Sequence, residues 1–133
     1  MKTTVVTLVL LVMTYFNTNA QKGNEWVDKV YSIKGDWAIQ LENDEMYFVL
    51  GSNFYTLAGP DLKLYLSPKA IDEIANRDAV DEEGGVFIAE LKSNKGAQKY
   101  KLPKDIELSD YQSLVIHCRK FSVVWGGIAL SNE

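Results

Sequence analysis

The sequence predicts an all-β protein: an antiparallel β-sandwich of about seven to eight strands, behind an N-terminal secretory segment. Three observations carry this expectation. Apolar residues recur with period two from Trp37 onward, the pattern of strands with one buried face. Gly, Pro, Asn and Asp cut these runs into short pieces, as turns between antiparallel strands require. The composition, 47% hydrophobic and 24% charged over 133 residues, suits a chain with a packed core and excludes a disordered or low-complexity one.

The first 20 residues read as an address. Lys2 supplies a positive start, Val5 to Phe16 forms an apolar run of 12 residues, and Thr18-Asn19-Ala20 ends on the small residue that a signal peptidase needs. As a helix that run covers about 18 Å, short of the hydrocarbon core of about 30 Å. A cleaved signal peptide over 1–20 is therefore expected, with residues 21–133 as a single domain, secreted or periplasmic, and no membrane span after cleavage.

The strands follow in order. Trp37, Ile39 and Leu41 alternate, the polar stretch Glu42-Asn43-Asp44-Glu45 turns the chain, and Met46, Phe48 and Leu50 alternate back, which is a hairpin with one apolar face. Phe54 to Leu57 is a short strand closed by Gly59-Pro60-Asp61, a turn in which Pro presets φ and Asp bonds local backbone. Leu62, Leu64 and Leu66 define a strand that stops before Pro68. Lys69 to Glu83 carries helical spacing at Ala70, Ile71, Ile74 and Ala75 but is short and acidic, so a single helical turn and a surface loop are both open. Val86 to Leu91, Tyr100 to Leu102, Tyr111 to Arg119 and Phe121 to Leu130 complete the strands, with Lys92 to Lys99 as a polar turn. Seven or eight such strands bury their apolar faces only by stacking two sheets or closing one.

The residue inventory removes most chemistries. Eighteen acidic residues against 14 basic ones give a net charge of −4, which excludes a basic nucleic-acid surface and argues for no nucleic-acid partner. One His, His117, cannot build a His-rich zinc site, and no Ser lies in a nucleophile elbow. Gly84-Gly85 and Gly126-Gly127 lack the spacing of a phosphate loop. The run Asp81-Glu82-Glu83 reads as a solvated loop. Trp37, Trp125 and Tyr111 read as core or sheet-edge aromatics, and Lys101 and Lys104 as solvent-facing.

Cys118 remains. As the only Cys it cannot form an intramolecular disulfide, which leaves an inert core thiol, an intermolecular bridge, a redox thiol or a cofactor ligand. In the run Leu114-Val115-Ile116-His117-Cys118-Arg119, strand alternation puts Leu114, Ile116 and Cys118 on the core face and Val115, His117 and Arg119 on the outer face. On that reading Cys118 is a small apolar filler. Arg119 and Lys120 would instead favour the thiolate if the site is open, and a bulge at Lys120-Phe121 would re-aim the sulfur.

Several segments together resemble a known family. They are Asp36-Trp37; Asn53-Phe54 leading to Gly59-Pro60-Asp61-Leu62-Lys63-Leu64-Tyr65-Leu66-Ser67; Gly96-Ala97-Gln98-Lys99-Tyr100 with Leu102-Pro103; Tyr111 through Phe121; and Val123-Val124-Trp125-Gly126-Gly127-Ile128-Ala129-Leu130. Their order and spacing resemble the DM-thirteen electron-transfer domain, a frequent companion of DOMON domains, over about residues 24 to 131. The resemblance implies a β-sandwich-like domain and a characteristic Cys, here Cys118, acting as a bare thiol or by holding a prosthetic group such as haem. It implies a separate redox partner protein as donor or acceptor. Where family members often carry an aromatic residue before that Cys, this chain has His117. Two functions are thus expected to compete: an electron-transfer or redox domain using Cys118, and a non-catalytic interaction module presenting Tyr31, Tyr47, Tyr55 and Tyr65 around an inert thiol. Either is a transfer or binding domain rather than a stand-alone enzyme.

Overall fold

A computed structural model describes residues 21–130; the secretory segment expected over 1–20 lies outside the described residues. The chain runs β1 (Gln21–Gly23), β2 (Val27–Asp28), β3 (Ile33–Lys34), β4 (Trp37–Glu42), β5 (Glu45–Leu50), β6 (Tyr55–Thr56), β7 (Leu62–Ser67), β8 (Val86–Glu90), β9 (Gln98–Lys101), β10 (Ser113–Cys118) and β11 (Val123–Ala129), with three single turns of 3-10 helix at Ile71–Glu73, Leu108–Asp110 and Arg119–Phe121. A four-stranded sheet, β1-β4-β5-β9, faces a five-stranded sheet, β2-β11-β10-β7-β8, and β3 pairs with β6 beside them. All pairings are antiparallel.

Trp37 and Ile39 of β4, Phe48 and Leu50 of β5 and Tyr100 of β9 meet Leu62, Leu64 and Leu66 of β7, Leu114, Ile116 and Cys118 of β10 and Trp125 and Ile128 of β11 in one core. Neither sheet could hide these side chains alone, so burial stacks the two into a sandwich.

The β4–β5 hairpin is the one the sequence specifies, with Glu42 opposite Glu45 and the turn residues Asn43 and Asp44 both at positive φ, 49° and 64°. Asn and Asp tolerate that region because their short polar side chains bond locally. The eight strands read from the sequence correspond to β4 through β11. The three that precede them, β1, β2 and β3, are two or three residues long and carry too little pattern to read. Phe54 to Leu57 shrinks to Tyr55–Thr56, and Tyr111 to Arg119 to Ser113–Cys118. β9 begins two residues earlier than expected, because Gln98 is buried and holds the preceding loop: its amide nitrogen donates to Ser93 O at 2.9 Å and its carbonyl oxygen accepts from Ser93 N at 3.1 Å. Residues 69–85 form a loop with one 3-10 turn, sewn on by Ile71, Ile74 and Val80.

That loop creates a second, smaller core on the outer face of the five-stranded sheet, where Ile71, Ile74 and Val80 pack on Tyr65, Val115 and Val124. Every residue of β10 is consequently buried on both faces. The bulge expected at Lys120-Phe121 is instead in β11: Ile116 pairs with Gly126 and His117 with Val124, leaving Trp125 as the extra residue. Trp125 and Gly126 thus both turn inward, and Trp125 reaches the main core. The Lys120-Phe121 region is a 3-10 turn that Ser122 terminates at φ 46°.

Candidate functional site

Cys118 ends β10, opposite Leu62 of β7 and Val123 of β11. The alternation read from sequence holds: it shares the main core with Leu114 and Ile116. It is a free thiol and 0% exposed, so no water-sized space touches it. The two cations expected to act on it have other partners. Arg119 donates Nε to Asp81 at 2.9 Å on the surface, and Lys120 Nζ lies 5.5 Å from the centre of the Phe121 ring.

A haem on this sulfur does not fit. The macrocycle needs an open coordination side and a slot along it, whereas the sulfur is enclosed by the inner faces of both sheets. Cys118 lines neither the cleft of about 410 Å³ between Ala58–Leu62 and Glu90–Asn94 nor the cleft of about 340 Å³ beside Arg119. Among the described residues no group of three His, Cys, Asp or Glu side chains is placed to hold a metal ion.

His117 corrects the sequence expectation. It does point to the face opposite Cys118, but that face is covered, and His117 is only 1% exposed. The edge of its ring meets Tyr65, with centroids 5.8 Å apart, and Nε2 lies 3.1 Å from Asp78 O. A carbonyl only accepts, so Nε2 carries the proton. Nδ1 is then a bare lone pair, buried and without a partner. Burial holds the imidazole pKa below its ordinary value, against a smaller opposing pull from Asp81. No sequence pattern flags this position, because the loop that covers it arrives from about 39 residues away.

The surface tyrosines also differ from expectation. Tyr65 is in the second core, Tyr31 stacks on Trp125 at 4.1 Å between centroids, and Tyr47 is half-buried under Lys99. Tyr55 alone of the four is open, at 52% exposure. Trp37 and Trp125 are core residues and Tyr111 packs at its edge. Lys101 and Lys104 are surface residues that both reach Glu45. Of the acidic run, Asp81 ties the loop to Arg119 of the β10–β11 turn, and Glu83 pairs with Lys69 across the base of the loop.

Fold and site together define a class: a small antiparallel sandwich with a single thiol sealed at the end of a central strand. The family model described as "Electron transfer DM13" matches residues 26–130. The chain belongs to that family. No curated protein and no solved structure matches it. Among the described residues no helix is long and apolar enough to cross a membrane.

Proposed function

We propose that the chain is an exported electron-transfer domain and that Cys118 is its redox group, reached when one end of the sandwich opens. The family supports the transfer role, and the apolar run ending at Ala20 supports export. The observation that carries the assignment to Cys118 is its place. The only sulfur nucleophile of the chain is the last residue of β10, directly before a turn in which Arg119, Lys120 and Phe121 are all exposed. Local opening of such a turn needs far less energy than unfolding the core. In the open form the Cys118 thiolate attacks a disulfide of the partner protein. A new S–S bond forms as the partner's own S–S bond breaks, and the partner's second sulfur leaves as thiolate and takes up the proton.

Alkylation of Cys118 in the folded protein, followed across pH and low urea, tests this. Opening at the turn predicts labelling that rises with pH and barely responds to urea. Labelling only along the global unfolding transition would overturn it, as would full electron transfer by Cys118→Ser.

One observation favours a second reading, the interaction module: at 0% exposure Cys118 is also what an inert core thiol looks like. In that case Cys118→Ala destabilises the fold by roughly 1–2 kcal/mol through the cavity it leaves and changes no partner affinity.

A further inference from the structure

The turn closing the Cys118 end of the sandwich gathers cations around an exposed aromatic ring. Phe121 stands at its tip, 53% exposed. Three cations surround it. Arg119 and Lys120 precede it in the turn, and Arg77, arriving from the 69–85 loop, donates Nη2 to Phe121 O at 2.9 Å. Arg119 is matched by Asp81. Among the described residues no carboxylate lies within ion-pair distance of Arg77 or Lys120. On the far side of Arg119 lies the cleft of about 340 Å³, whose wall includes Lys63 and Phe87, the latter half exposed.

We propose that this turn is the docking surface for an acidic face of the protein that exchanges electrons with the domain. The inference rests on the redox role proposed above and names the partner's chemistry. With a net charge of −4, the chain as a whole repels an acidic partner; at this turn Arg77 and Lys120 flank an exposed aromatic ring, and the neighbouring carboxylates Asp78 and Asp81 are taken up by Lys69 and Arg119. Complementarity of this kind sets orientation and encounter rate. The Arg77 guanidinium suits the purpose, since a planar guanidinium grips a carboxylate with parallel hydrogen bonds and Arg77 spends only Nη2 on Phe121 O. Phe121 supplies an aromatic anchor of the type that dominates interface energies. The turn is also held in shape before any partner arrives: Ser122 N donates to Arg119 O at 3.1 Å, Ser122 Oγ donates to Arg77 O at 3.3 Å, and Ser122 occupies the left-handed region. A preformed turn loses little entropy on docking.

The test is a titration of the exported protein with octaglutamate, read by amide chemical shifts. The expected result is shifts confined to Arg77 and residues 119–122, abolished near 0.5 M salt, where the screening length falls to about 4 Å. Arg77→Glu with Lys120→Glu should weaken binding about tenfold. Phe121→Ala should weaken it without altering the salt dependence. Shifts elsewhere, or an unchanged affinity in the charge-reversed variant, would overturn the proposal. So would attachment of phosphatidylserine vesicles through the same turn without any response to octaglutamate, which would make the turn a membrane contact. Repeating the titration on Cys118→Ser separates the two claims, because peptide binding does not pass through the sulfur.

Discussion

Acidifying the protein from about pH 7.5 to about 5.5 should destabilise it through His117. The ring is 1% exposed and Nδ1 has no partner, so protonation would create a buried cation with no acceptor for its new N–H. The folded pKa is accordingly depressed, with burial the main cause. The unfolded chain takes up a proton near the ordinary value of about 6.5. Below that value the unfolded state binds more protons than the folded one, so stability is fully present above about pH 6.5 and falls as the pH drops toward the folded pKa. One proton contributes at most about 1.4 kcal/mol per pH unit. If His117 stays neutral in the fold, the loss by about pH 5.5 approaches 1.4 kcal/mol, which moves a urea midpoint by about 0.7 M at an m-value of about 2 kcal/mol/M. The assay is urea unfolding followed by tryptophan fluorescence at several pH values, for wild type and His117→Leu. The variant fills the site, lacks the titrating ring and should flatten the slope. Equal slopes in the two proteins would refute the argument.

Two further predictions concern packing and surface charge. A Cβ at Gly127 would lie 2.4 Å from Leu114 O and 2.8 Å from Ile71 Cδ1, one contact with the neighbouring strand and one with the loop above it. Gly127→Ala should therefore cost about 1–3 kcal/mol in thermal or urea unfolding, and wild-type stability would show that the loop yields freely. Glu45 is held near pKa 2, down from 4.5, chiefly by Lys101, then by Tyr47 and Lys104. The stability it contributes is present above about pH 4.5 and is lost as the pH falls toward 2. A carboxyl titration by NMR should find this low value, and Lys101→Met should raise it; a value near 4.5 in the wild type would remove the pairing.

The sequence by itself settled the fold class and the placing of the long strands. The reason is that alternation with period two is a local property: Trp37-Ile39-Leu41 against Met46-Phe48-Leu50 already contains the hairpin and its register, although Leu41, next to the turn, is left exposed. It likewise placed Cys118 with Leu114 and Ile116, because neighbours in a strand share a face by parity alone. Pattern failed where too few residues carry it, as in the short strands β1, β2 and β3. It also failed where a distant segment decides the environment. Parity assigned His117 to the outer face, but only tertiary structure determined that the 69–85 loop covers this face, buries the ring and leaves Nδ1 without a partner. The bulge at Trp125 depends in the same way on the pairing of β10 with β11, and the cationic turn on Arg77 crossing 44 residues of sequence to reach Phe121. Side-chain direction is fixed within a strand, whereas exposure and charge are fixed by whatever chain packs above it.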